Sequence, residues 1–118
     1  MRYLLLIPVL IYIGSSLWAN FDLFPEDFMQ FWWFDDLGHI VVFGSLTVVA
    51  LAVAYKREKS VASAVTTVTL LAVVDEFSQL LLTHRAFSYQ DLVMSLVGIG
   101  LVLLCYKILR LYIIKRTP

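Results

Sequence analysis

The chain has 118 residues; 61% are hydrophobic, only 15% are charged, and the formal net charge is zero. A water-soluble domain carries about 25% charged and roughly 45–50% apolar residues. Disorder is excluded by the high hydrophobicity, and a disulfide scaffold is excluded because there is a single cysteine. Neutral charge and scattered basic residues argue against nucleic-acid binding. The composition indicates an integral membrane protein of one domain, residues 1–118.

Four apolar stretches are long enough to cross a bilayer, whose hydrocarbon core of about 30 Å needs about 20 apolar helical residues. The runs do not alternate in polarity, which excludes strands. The sequence therefore predicts an all-α polytopic membrane protein, a bundle of four transmembrane helices. The predicted helices are 3–21, 37–55, 61–82 and 92–114.

The first stretch could instead be a cleaved signal peptide, because Arg2 precedes an apolar run that ends in small residues. Cleavage after Ala19 would place the large Leu17 where a small side chain is required, so a retained helix is favoured. With four spans and both termini inside, every Lys and Arg except Arg85 lies on the cytoplasmic side. The positive-inside rule then predicts cytoplasmic termini, with the first and third loops facing outward.

The first outer loop, residues 21–36, mixes seven Phe and Trp residues with five acids. Aromatic rings prefer the headgroup zone, so this segment is interpreted as an interfacial anchor. The alternative is an aromatic lip over a substrate groove.

Ionisable side chains within spans are costly, and here they gather near one leaflet. Spacings of three or four residues place several of them on shared helix faces. The candidate ligand-binding residues are Asp36, His39, Asp75, Glu76, Gln79, Arg85, Asp91 and Ser95.

Structural interpretations of the same residues stay open. Asp36 and Asp91 could be plain helix N-caps, and Arg85 a structural counter-ion. His39 could be a packing residue whose hydrogen bonds are satisfied. The adjacent acids Asp75 and Glu76 lie inside an apolar run, which favours a functional or buried-network role for that pair.

Three short motifs resemble those of the VanZ-like family of bacterial membrane proteins. They are Asp36-Leu37-Gly38-His39, Asp75-Glu76-Phe77-Ser78-Gln79, and the stretch Arg85–Asp91 followed by Ser95 and Gly98. Leu37 stands where that family usually has Lys, and Ser95 where it usually has Asn. The founding member is linked to low-level teicoplanin resistance, so the resemblance implies a cell-envelope role and a location in the bacterial inner membrane.

Two functions and one structural role follow. In the first, the outer pocket binds a lipid-linked cell-wall intermediate or a lipoglycopeptide, with Arg85 on its phosphate or carboxylate. In the second, the protein is an intramembrane enzyme in which Glu76, His39 and Asp75 carry out acid–base chemistry. In the third, the polar cluster only fixes helix register, and the protein is structural and acts through a partner. No cofactor signature is present, and a divalent metal is disfavoured because no HExxH-type spacing occurs.

Overall fold

The computed structural model describes residues 3, 6–20, 32–81 and 87–117, and this part of the chain is helical without strands. We number its helices α1 (Leu6–Asn20), α2 (Trp32–Lys56), α3 (Val61–Ser78) and α4 (Tyr89–Arg116). A short 3-10 turn, Gln79–Leu81, extends α3. The predicted all-α class is confirmed. Residues 21–31 of the aromatic segment, and Arg85, lie outside the described residues.

Three of these helices are long and apolar enough to cross a membrane: Asp36–Lys56, Val61–Leu81 and Tyr89–Arg116. The helix α1 has 15 residues, which corresponds to about 22 Å at 1.5 Å per residue. That length is short of the hydrocarbon thickness, so the first of the four predicted spans stays a prediction.

Two boundaries differ from those expected. The second helix begins at Trp32 rather than near Leu37, because no glycine or proline interrupts the chain there. The fourth begins at Tyr89 rather than Leu92, because Ser88 supplies the N-cap. Both Asp36 and Asp91 therefore lie inside helices, and their interpretation as N-caps is wrong.

The helices α2 and α4 pack closely at Gly98. A Cβ atom added there would lie 2.4 Å from the carbonyl oxygen of Ile40 and 3.0 Å from its Cα. On the other side of the crossing, an added Cβ on Gly44 would lie 3.4 Å from the Gly98 carbonyl oxygen. Small residues let membrane helices approach until their backbones touch. This contact fixes the register of α2 against α4.

The apolar core is small and centred on Phe43, which is 2% exposed. Buried residues from all three spans join it, namely Leu46, Val68, Ala72 and Ile99. Tyr12 brings α1 to the same core through an edge-on contact with the Phe43 ring, at 5.7 Å between centroids. Most other large apolar side chains are exposed, as expected of helices that face lipid.

The glycine contact makes a prediction with a matched control. Gly98→Ala should destabilise the protein by about 1–3 kcal/mol, because the added methyl group overlaps the Ile40 backbone. Gly100→Ala has open space around its Cβ and should be neutral or stabilise the helix by up to about 1 kcal/mol. Thermal unfolding of both variants in one detergent measures the difference. Equal melting temperatures would contradict the close approach of α2 and α4.

Candidate functional site

The first turn of α4 is the point where side chains from three helices meet. Ser88 is the N-cap, and its hydroxyl accepts the backbone N–H of Asp91 at 3.3 Å. In a capping box, the side chain three residues after the cap reaches back to the cap's own N–H. Here that N–H belongs to Ser88, and it donates instead to Glu76 of α3. The start of α4 is thus capped partly from another helix.

Glu76 is 1% exposed and lies at the end of α3. Its Oε1 accepts the Ser88 N–H at 2.7 Å, and its Oε2 accepts the side-chain amide of Gln79 at 3.2 Å. Both carboxylate oxygens are therefore engaged within the protein. A carboxylate at a helix N-terminus also interacts favourably with the helix dipole. These contacts give Glu76 an anchoring role beneath the site.

Because Glu76 occupies the Ser88 N–H, the Asp91 side chain can face α2. There His39 Nε2 lies 3.6 Å from Asp91 Oδ2, and His39 Nδ1 lies 3.1 Å from Ser95 Oγ. The side chains of His39 and Asp91 retain 13% and 11% of their accessible surface. The imidazole is held from two sides and still has access to its surroundings.

The hydrogen bond between His39 Nδ1 and Ser95 Oγ can run in either direction, because the tautomer of the imidazole sets which atom donates. The Ser95 hydroxyl also lies 3.0 Å from the backbone carbonyl oxygen of Asp91, to which it donates when His39 Nδ1 carries the proton. His39 Nε2 lies on the side of Asp91. Nε2 and Asp91 Oδ2 form the pair that can hold or exchange a proton. Ser95 itself is 2% exposed and bonded to backbone, which makes it an orienting group and a poor nucleophile.

Asp36 lies at the exposed edge of the group formed by His39, Asp91 and Ser95. Both of its carboxylate oxygens accept the side-chain amide of Gln90, at 3.1 and 2.9 Å, and the pair is exposed. It lies one helical turn before His39, on the same face of α2. We call the set Asp36, His39, Glu76, Gln79, Ser88, Gln90, Asp91 and Ser95 the helix-start cluster.

Asp75 makes a different contact from its neighbour Glu76. Its Oδ1 accepts the hydroxyl of Tyr12 at 3.1 Å, which links α3 to α1. Neighbouring residues on an α-helix point about 100° apart, and the two adjacent acids accordingly have different partners. Glu76 faces the start of α4, whereas Asp75 faces α1.

Sequence reasoning missed Ser88, Gln90 and Tyr12. A signal for the first was present, because Ser88-Tyr89-Gln90-Asp91 has the spacing of a capping box. The partners of Gln90 and Tyr12 depend on helix register and carry no local signature. Arg85 lies outside the described residues, so its predicted ligand contact stays a prediction.

Within the described part of the chain, every buried side-chain nitrogen and oxygen has a hydrogen-bond partner. Across those residues, no group of three or more His, Cys, Asp and Glu side chains is arranged to hold a metal ion.

The anchoring role of Glu76 predicts a graded response to substitution. Glu76→Ala removes the acceptor of a partly buried N–H and should cost about 1–3 kcal/mol of stability. Glu76→Gln keeps a carbonyl oxygen for the Ser88 N–H and should lower the stability clearly less than Glu76→Ala does. Melting temperature and membrane abundance of both variants measure the order. If Gln were as damaging as Ala, the negative charge and not the cap would be the essential feature.

The sequence matches a known protein family. A model of the VanZ/LLP1 family matches residues 3–110, which include all three sequence motifs and the whole helix-start cluster. No curated protein and no solved structure is significantly similar to the chain. Since the family model covers most of the sequence, the chain belongs to the VanZ/LLP1 family.

Proposed function

We propose that this protein binds the polar headgroup of a cell-envelope amphiphile at the helix-start cluster. The observation that carries the proposal is the position of His39, held between Asp91 and Ser95 and still partly accessible. Polar side chains within membrane spans are costly and usually mark ligand or ion sites. Here they line the end of the bundle where α2 and α4 begin and α3 ends.

The surroundings of the cluster suit a ligand that enters from the lipid. Leu37 and Val41 on α2, and Val93 on α4, are about half exposed at the level of His39 and Asp91. An acyl or prenyl chain can lie along these apolar surfaces while its headgroup meets the polar residues. Ligand sites of this kind combine apolar walls with a few convergent polar groups.

Individual residues would take different parts. Asp36 and Asp91 offer carboxylate oxygens to hydroxyl, amide or ammonium groups, and His39 Nε2 can exchange a proton with the ligand. Ser95 would hold the imidazole, and Glu76 with Gln79 would hold the start of α4. Arg85, in the adjoining loop, would contact a phosphate or carboxylate. Asp75 would support the site through Tyr12.

The proposed orientation follows from the basic residues at the opposite end, including Lys56, Arg57 and Lys59. The positive-inside rule places that end in the cytoplasm of a bacterium. The helix-start cluster then faces the outer leaflet of the inner membrane. Lipid-linked cell-wall intermediates and lipoglycopeptides are amphiphiles encountered there, and capture of the latter would contribute to resistance against glycopeptides such as teicoplanin.

A second candidate function is acid–base catalysis on the same class of lipid. The 3.6 Å approach of His39 Nε2 to Asp91 Oδ2 favours it, because this pair can exchange a proton. Glu76 has both oxygens engaged and fits a positioning role better than that of proton carrier.

Two serines give a matched test of binding. Ser95 and Ser45 each donate to the carbonyl four residues earlier on its helix, but only Ser95 contacts His39. Ser95→Ala and His39→Gln should each reduce retention of the ligand at least about fivefold, because the partly buried hydrogen bond that holds the imidazole is lost. Ser45→Ala should retain it.

The measurement is mass spectrometry of lipids bound to purified protein after incubation with a bacterial envelope lipid extract. A lipid enriched on the wild type and on Ser45→Ala, and lost from the other two variants, supports binding. A new mass formed only with wild type would favour catalysis, and its mass difference would give the reaction class. Identical lipid profiles for all four proteins would contradict the proposed site.

A further inference from the structure

A second site candidate lies at the opposite end of the bundle, where α2 turns into α3. A cleft of about 230 Å³ opens between the two helices. Ala50, Ala54 and Ala64 form its floor, and Arg57, Lys59 and Ser63 lie around its mouth. The small floor residues leave a groove along the helices. The cleft thus combines an apolar groove with two cationic side chains at its mouth.

The turn at the end of α2 brings these cations to the cleft. The helix ends in a Schellman motif, in which Glu58 adopts the left-handed conformation with φ of 54°. The N–H of Lys59 donates to the carbonyl of Ala54 at 2.8 Å, and that of Glu58 to the carbonyl of Tyr55 at 3.3 Å. The chain therefore folds back over Ala54 and places Lys59 beside the groove.

Both cations are exposed, and no described carboxylate lies within salt-bridge distance of Arg57 or Lys59. Their neighbour in sequence, Glu58, is exposed as well. The mouth of the cleft thus presents two positive charges above an apolar floor. The complementary ligand carries a negative group on an apolar chain.

We infer that this cleft is a binding site for an anionic phospholipid of the membrane leaflet at the basic end. The lipid phosphate contacts Arg57 and Lys59, and an acyl chain lies along Ala50, Ala54 and Ala64. Basic residues beside a membrane attract anionic headgroups, and the groove adds a defined place for one lipid molecule. This site is separate from the helix-start cluster and does not depend on the function proposed there.

The test uses the full chain in nanodiscs or detergent with phosphatidylglycerol and phosphatidylcholine as probes. Native mass spectrometry counts the lipids that survive stepwise activation. Wild type should retain one phosphatidylglycerol in preference to phosphatidylcholine. Since a cation beside an anionic headgroup contributes about fivefold, and Arg57 and Lys59 both line the cleft, Arg57→Ala with Lys59→Ala should lower that retention about thirtyfold.

Two further variants distinguish the contribution of charge to lipid retention from that of the cavity. Lys115→Ala with Arg116→Ala removes the same charge from the exposed end of α4 and should lower retention less than about threefold. Ser63→Leu places a bulky side chain at the mouth of the cleft without changing charge and should lower retention at least about tenfold. Equal losses from both double variants, or full retention by Ser63→Leu, would overturn the site. Displacement of the lipid by inorganic phosphate at equal concentration would overturn it too, since a free anion would then suffice.

Discussion

The contact between Gly98 and Ile40 determines where the polar side chains of this protein can meet. Because the backbones of α2 and α4 touch there, His39, which directly precedes Ile40 on α2, faces the residues of α4 that lie one to two turns before Gly98. There His39 lies against Asp91 and Ser95. A side chain larger than hydrogen at residue 98 would separate the helices and the groups that depend on their distance. Glycine at this position is thus a requirement of the site as well as of packing.

The start of α4 is the second constraint. A helix beginning within an apolar environment leaves backbone N–H groups that need acceptors. Ser88 satisfies one from its own segment, and the buried Glu76 satisfies another from α3. Because Ser88 and Glu76 accept these N–H groups, the Asp91 carboxylate can interact with His39. A local capping requirement and the geometry of the candidate site are therefore coupled through one turn of helix.

The two ends of the protein present opposite chemistry. Carboxylates and an imidazole gather where α2 and α4 begin, whereas lysines and arginines lie where those helices end. If the positive-inside rule sets the orientation, each leaflet meets a different set of groups. The proposed outer site would select for hydroxyl or amine functions, and the proposed cleft between α2 and α3 would select for a phosphate.

Much of the fold could be predicted from the sequence, because long apolar runs between short loops allow few arrangements. The VanZ-like resemblance was visible in the same polar residues that the structure places at one end of the bundle. The pairing of those residues could not be predicted, since it depends on helix register set by Gly98. Asp91 was interpreted as a possible cap because it opens an apolar run, although Ser88 three residues earlier has the better chemistry for it. The different partners of Asp75 and Glu76 likewise follow from how α3 is rotated, which its nearly uniform hydropathy does not reveal.

The most direct test of the account is the ¹⁵N NMR spectrum of the histidine-labelled protein in detergent, before and after addition of an envelope lipid extract. The His39→Gln variant identifies which of the signals from the two histidines belongs to His39. The account predicts that the ring nitrogen resonances of His39 change when the lipid is added. Resonances of His39 that stay unchanged at saturating lipid would contradict it.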